Sequence, residues 1–522
     1  MALALLACVA LALLQKPSRD GSDEYFAKGE VHTLRLVLDE AAQGALRDSP
    51  REYVPFELWV DGKRFAAGAG VKLKGAAGSF QNWDERPALT LKLDKFDGKE
   101  RFHGLEKFHL NNSVQDESLL CEWLGSEIFR GQNYPATRVQ HALVELNERK
   151  LGMYVLKEGF DKRFLARWFD TTEGNLYDGG FCQDLDAELE LDSGKGPKDR
   201  SDLAAIAQAC HNPDMVQRWS ALELLIDLPR LTRFMALEQM LAHWDGYTTN
   251  SNNYRLYFVP GGKAVFLPHG MDQLFGDPWG TVLDMPAPLV SSSVMKKPEW
   301  RKLYRKEIRE LLPAFDQRSL LRRVEPVQAR IQAALRRHDK ELAQAQADRY
   351  RELCERVGDR HRHLSEESKA AEPKPLQFKP GFAVKLRQWR AHSEVEDAAI
   401  EEQTQDRAQW MVVRTGASGR CIAGWRRGVL LERGKYKLEA LVKTEKVEPL
   451  AEEGAPSKGA ALRISGEPSE RSLSGTGTRL LTFEFEVSEA ARDVELVIEL
   501  RAARGEARIR MDSIQLTRLL GG

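Results

Sequence analysis

His243 to Phe258 reads HWDGYTTNSNNYRLYF, and the rest of the chain is placed by working outward from it. Leu231, Phe234, Met235, Leu237, Met240 and Leu241 precede it at helical spacing, behind a Pro229 that a first helical turn tolerates. The helix therefore closes at the His243-Trp244-Asp245 turn. After Asn250, Asn252 and Asn253, two short strands are expected, NYRLYF (253–258) and AVFL (264–267), joined by Pro260-Gly261-Gly262. Asp272 follows the second strand. Antiparallel pairing of these strands brings Asn253 and Asp272 to the same end of one hairpin.

This residue set suits phosphoryl transfer. That chemistry needs a carboxylate to orient and deprotonate an acceptor hydroxyl, and hard oxygen ligands to hold Mg²⁺ on the phosphates. Asp245 supplies the first, Asn253 and Asp272 the second. Asn250 stands five residues after Asp245, the H-R-D-x-x-x-x-N spacing of protein kinases. Asn253 opens the strand itself and is the favoured metal ligand, with Asn250 second. Helix caps and Asx-turns use the same residues without chemistry, so the order of elements along the chain carries the reading.

Upstream, residues 24–157 are strand-rich. Val31–Leu38, Phe56–Val60, Val71–Leu73 and Leu89–Leu93 alternate near period two, and Asp61-Gly62 is a hairpin signal. Ser113–Phe129 reads as a helix, followed by strands at Gln140–Leu146 and Met153–Leu156. Residues 158–365 then read as helical, apart from the hairpin. A sheet with one helix, a crossover and a helical part make the expected class α+β, a two-lobed, kinase-like layout. Such a site needs a strand Lys for the phosphates and a helical Glu to orient it. Lys92, inside LTLKL, is the candidate and Lys74 the second. Glu122 is the expected partner, Glu127 the alternative. The turn Lys74–Ser79, with Gly75 and Gly78, is placed to cover phosphates through backbone N–H groups. Glu158 falls where the two parts join and is a candidate nucleotide contact.

Composition sets the outer limits. The 522 residues carry 77 Lys+Arg against 78 Asp+Glu, so no global polyanion affinity is expected and nucleic acid is not a predicted partner. The arginine-rich 300–363 region mixes both signs and reads as a solvated helical face. Six cysteines without a C-x-x-C pair exclude a zinc ribbon, leaving open one or two disulfides among the last five. Residues 366–380, with three prolines, read as a linker. Residues 381–522 read as an all-β jelly-roll sandwich. Ala2–Leu14 is an unbroken apolar run with an A-x-A pattern at Ala10 and Ala12, so residues 1–22 are expected to be a secretory signal. No later segment reaches membrane-spanning length, which predicts a secreted or cell-surface protein.

Several stretches resemble the CotH kinase family, named for a spore-coat protein. They are VKLKGAAGSF (71–80), RPALTLKLDKF (86–96), LEKFHLNN (105–112), DESLL (116–120), NERKLGMYVLKEGFDKRFL (147–165), HWDGYTTNSNNYRLYF (243–258) and FLPHGMDQLFG (266–276). The resemblance implies a secreted atypical kinase that phosphorylates protein Ser with ATP and Mg²⁺ or Mn²⁺. It makes Asp245 the catalytic-loop carboxylate, Asn253 a metal ligand and Asp272 the counterpart of the DFG aspartate. The family often has W-D-x-D where this chain has His269-Gly270-Met271-Asp272. The second expectation, favoured by Gly270, is a non-catalytic surface protein that keeps the scaffold for binding. The C-terminal region resembles carbohydrate-binding and galactose-binding-like modules, with Trp389, Trp410 and Trp425 as candidate sugar-stacking rings.

Overall fold

A computed structural model describes residues 21–519 apart from 213, 285, 372–373, 380–381, 406–407, 452–454 and 470, so the apolar run at 2–14 lies outside the described residues. The chain divides into two units, one ending at Ala370 and the other beginning at Ala371, with Lys296–Pro298 assigned to the second.

The first unit opens with helices α1 (Ser22–Lys28) and α2 (Glu40–Asp48) and a closed seven-stranded barrel. Its strands are β1 (His32–Val37), β2 (Val54–Val60), β3 (Lys63–Lys74), β4 (Ala88–Lys92), β5 (Lys107–Asn111), β6 (Val139–Leu146) and β7 (Arg149–Glu158), in the order β1-β2-β3-β4-β5-β7-β6. All neighbours run antiparallel except β1 and β6, whose parallel pairing closes the ring. Closure leaves no open edge. The period-two alternation explains the interior: Leu34, Leu36, Leu73, Leu89, Leu91, Leu110, Val144 and Leu156 are buried in one apolar cluster. Asp61 and Gly62 both sit at positive φ, the left-handed pair that a two-residue hairpin turn needs.

The opposite face of four barrel strands is where the polar row lies. The register sets Lys72 of β3 beside Thr90 of β4, Thr90 beside His109 of β5, and His109 beside Lys157 of β7. Helix α3 (Cys121–Gly131) crosses near this row. It begins later than the helix expected from Ser113, because Ser113 and Leu119 take positive φ and Asp116 ties the segment into turns. Asp116 accepts from the amides of Ser118 at 3.1 Å and Cys121 at 2.8 Å, capping the first turn of α3.

The chain then turns helical, with α4 (Lys162–Trp168), α5 (Ser201–His211), α6 (Met215–Leu225) and α7 (Leu228–Met240), broken by β8 (Leu176–Asp178) and β9 (Glu190–Ser193). The short α8 (Tyr247–Asn250) leads into the hairpin β10 (Tyr254–Phe258) and β11 (Ala264–Pro268), which pairs Tyr254 with Pro268. Helices α9 (Leu289–Lys296), α10 (Pro298–Leu311), α11 (Gln317–His338) and α12 (Lys340–Glu367) complete the unit, and the last three carry the arginine-rich 300–363 region. Asp227 caps α7 by accepting from the Arg230 amide, with Pro in the first turn.

The second unit is all-β with its own core. Its ribbon pairs Cys421–Pro449 with Gly475–Arg510, the partner's number falling as the residue's rises: Cys421 faces Ala502 and Trp425 faces Ile498. Trp389 and Trp425 are buried in this core. Of the three expected sugar-stacking rings, Trp410 alone stays partly accessible. Cys121, Cys182, Cys210, Cys354 and Cys421 are free thiols, so no disulfide joins the described cysteines. No helix among the described residues is long and apolar enough to cross a membrane.

Candidate active site

Asp245 is held by its own loop. Its Oδ1 accepts from Asn250 Nδ2 and Asn252 Nδ2, each at 3.0 Å, and its Oδ2 accepts from Asn253 Nδ2 at 2.7 Å. The Asn253 amide also donates to the Asp245 carbonyl at 2.9 Å. Three amides thus fix one carboxylate and use three of its roughly four lone-pair sites, leaving one on Oδ2. Spacing alone put Asn250 and Asn253 near Asp245; Asn252 is a third partner that the sequence reading mentioned but gave no role.

The hairpin delivers Asp272 as expected. The His269 amide donates to the Asn253 carbonyl at 3.0 Å, extending the β10–β11 pairing to the His269–Asp272 segment. His243 Nε2 lies 3.1 Å from the His269 carbonyl and acts as its donor, which ties the H-x-D turn to the same segment. Gly270 takes φ +53°, and a Cβ there would stand 2.1 Å from Asn253 Oδ1. Glycine thus suits the position where the resembling family often carries an acidic residue: the amide of Asn253 occupies the space a side chain would enter.

Glu122 joins this segment to the barrel. Its Oε1 accepts from Lys157 Nζ at 2.5 Å, and its Oε2 accepts from the Met271 amide at 3.1 Å, one residue before Asp272. Both side chains of the Lys157–Glu122 pair are fully buried, at 0% and 1% exposure. Gly125, one turn on, permits the approach, because a Cβ there would meet Met271 Sδ at 2.7 Å. Lys157 also lies 3.1 Å from His269 Nδ1, and burial beside that ammonium pushes the His269 imidazole well below its usual pKa.

Glu122 does pair with a strand lysine, but that lysine is Lys157 and not Lys92. Lys92 lies on the same sheet face, opposite Gly70 and Lys107, with its ammonium 39% exposed and 4.0 Å from Asp94. Glu127, the alternative glutamate, pairs with Arg130 at 2.6 Å on its own helix. Lys74, the second candidate lysine, is part of the cluster. Its Nζ donates to Asn111 Oδ1 at 2.5 Å, and burial, reinforced by the Lys157 charge, pushes its pKa down to about 8 despite the pull of Glu122 and Asp272. Asp272 is pushed up to about 6, by burial first and then by Glu122.

Two further candidates fall outside this cluster's chemistry. Glu158 is buried between Arg138, at 2.7 Å, and Arg167, so its carboxylate is consumed within a salt-bridge network that also ties Arg138 to Asp23 of α1. Burial alone would raise its pKa; Arg167 and Arg138 hold it below the ordinary value. The Gly75–Gly78 turn has the expected left-handed glycines, at φ +106° and +81°, yet several of its amides are already engaged. Ala76 N donates to Ser79 Oγ, and Ser79 N and Phe80 N donate to the Ala76 carbonyl. Arg51 pins the Gly75 carbonyl at 2.5 Å.

Residues 71–364, more than half of the chain, match the family described as CotH kinase protein. The chain belongs to the CotH kinase family. No curated protein matches the chain. Among solved structures, the enzymatically active domain of bacteriophage CBA120 tailspike protein 4 matches at 10% identity and a TM-score of 0.19, over 25% of this chain and 19% of that one. TmCBM61, solved in complex with β-1,4-galactotriose, matches at 15% identity and 0.19, over 25% and 88%. The CBM22-1 xylan-binding domain of Paenibacillus barcinonensis Xyn10C matches at 14% identity and 0.16, over 26% and 87%. At these scores the likenesses carry no functional argument.

Membership in a kinase family implies ATP and a divalent cation, and the donor set fits such a cation. Asn253, with its Nδ2 engaged by Asp245, turns Oδ1 toward Gly270, and Asp272 is a carboxylate whose anion is disfavoured by burial near Glu122. Hard oxygen donors and an under-compensated carboxylate are what Mg²⁺ or Mn²⁺ would relieve. Asp272 also lines a cleft of about 640 Å³ together with Asp116, Cys121 and the exposed Trp244.

Proposed function

We propose that this CotH family member transfers the γ-phosphoryl group of ATP to a Ser or Thr hydroxyl of a protein. The observation that carries the reading is the buried Lys157–Glu122 pair, whose glutamate also holds the amide next to Asp272. A strand lysine paired with a helical glutamate, next to an aspartate placed to hold a metal, is the arrangement protein kinases use. In this reading Asp245 accepts the acceptor's proton, the hydroxyl oxygen bonds to the γ-phosphorus, and the bond to the β–γ bridging oxygen breaks to release ADP. Lys74 meets phosphate charge from the barrel side, and the buried Lys157, held by Glu122, adds positive potential behind it. Asn253 and Asp272, with Asn250 as the outer candidate, would hold Mg²⁺ or Mn²⁺, which neutralises charge on the phosphates. The apolar Ala2–Leu14 run supports export, so the acceptor proposed is an extracellular or surface protein, and the half-buried Trp410 leaves room for a glycan contact on the second unit.

A scaffold that binds without transfer is the competing reading, and Gly270, which supplies no second carboxylate, favours it. Labelled ATP with Mg²⁺ or Mn²⁺ separates the two. The wild type should label itself or a casein-like acceptor. Asp245→Ala, Asp272→Ala and Lys157→Met should each lose at least about 100-fold, while Lys92→Met stays within about twofold. An unlabelled, folded wild type leaves the scaffold reading standing.

A further inference from the structure

Beneath the Asp245 loop lies a carboxylate that the phosphoryl-transfer reading does not use. Glu238 sits in the last turn of α7 and is fully buried. Its Oε1 accepts from the Tyr247 amide at 3.2 Å. Its Oε2 accepts from the Thr248 amide at 2.8 Å and from Thr248 Oγ1 at 2.6 Å. Its own main-chain carbonyl accepts from the His243 amide at 3.0 Å. One residue therefore grips the loop on both sides of Asp245. Gly246 makes the grip possible, since a Cβ there would come within 2.7 Å of Glu238 Oε1.

A buried carboxylate is a costly way to hold a loop, and the donor geometry explains its use. Two consecutive amides point at the two oxygens of a single side chain. Only a carboxylate presents acceptors at both; a glutamine would turn an NH₂ toward one N–H and leave that donor unsatisfied. Asp184 straps the loop from the other side, accepting from Tyr247 Oη at 3.2 Å and Ser251 Oγ at 3.0 Å. Between these two anchors Asn250, Asn252 and Asn253 converge on Asp245.

We infer that Glu238 is a positioning residue for Asp245, clamping residues 243–248 so that the base is set before substrate arrives. The clamp is a statement about the loop; only its catalytic consequence rests on the reading of Asp245 as a base. Hydrogen exchange read by mass spectrometry, with no nucleotide present, should show residues 243–253 losing at least about tenfold protection in Glu238→Gln, with β7 and α3 unchanged. Thr248→Val, which removes one donor and keeps shape, should lose a smaller part and covers the case in which Glu238→Gln does not fold. With ATP and Mn²⁺, kcat should fall about tenfold or more in Glu238→Gln while the KM for ATP stays within about twofold. Unchanged loop protection in both variants overturns the inference. So does a fall in kcat without any change in loop exchange. Should the wild type transfer no phosphate, the kinase reading fails, and the exchange measurement still decides the clamp.

Discussion

Asp272 is the side chain whose behaviour should depend most visibly on pH. Its carboxyl is pushed from the ordinary 3.8 up to about 6 by burial and by Glu122. Between those two values the folded chain binds a proton that the unfolded chain has lost. The contribution of this group to stability therefore declines as pH rises from about 4 to 6 and is constant above. A divalent cation needs the carboxylate, so binding expels that proton. Apparent Mn²⁺ affinity, measured by calorimetric titration at pH 5, 6, 7 and 8, should fall about tenfold per unit below pH 6 and level off above about 7. Asp272→Asn should bind weakly with no such slope. An affinity that ignores pH would remove Asp272 from the ligand set. Residues like Asp272 and Asp245 were legible in sequence because a short local pattern, helix–turn–hairpin, fixes them. Lys157 was not. Lys72, Lys92 and Lys157 share one sheet face by period two, and which of them reaches Glu122 depends on β7 pairing with β5 from 44 to 50 residues away (His109 with Lys157, Phe108 with Glu158 and Asn111 with Val155 set the register). Nothing local records that pairing.

Among the elements, the β10–β11 hairpin was predicted nearly to the residue, because proline and two glycines punctuate two apolar strands. Strand β5, Lys107–Asn111, was not assigned, although its KFHLN alternates: Phe108 and Leu110 enter the barrel core while His109 faces the polar row. The start of α3 was also misplaced, since the Asp116 turn is tertiary and not a matter of helix propensity. The hairpin's end supplies the sharpest test of whether Gly270 marks a lost function. Restoring the acidic residue by Gly270→Asp should not strengthen the site. It forces a non-glycine residue to φ +53° and drives Cβ into Asn253 Oδ1. The expected result is a destabilisation of about 1–3 kcal/mol together with weaker Mn²⁺ binding, read by thermal melts with and without the ion. Tighter Mn²⁺ binding at unchanged stability would mean that Asn253 moves aside and that the family's acidic position was vacant instead of filled.

For the molecule as a whole, the order of a strand-rich region, a helical region and an all-β region was legible from shifts in periodicity, whereas closure of the first sheet into a barrel was not. The barrel depends on β1 meeting β6 in parallel, a contact between strands more than 100 residues apart, His32 with Ala142 and Leu36 with Leu146. Every group assigned to the candidate site, from Lys74 to Asp272, lies in the first unit, which has its own apolar clusters. A chain ending at Ala370 should therefore keep a cooperative melting transition and the full response to nucleotide. With ATP and Mn²⁺ at about 100 times the dissociation constant, both the full chain and the shortened one should gain about 2.7 kcal/mol, seen as an upward shift of a few degrees. Transfer to a short peptide acceptor should likewise agree within about twofold. A shortened chain that melts cooperatively but does not respond to nucleotide would show that the second unit contributes to the site, and the assignment of the site to the first unit alone would fall.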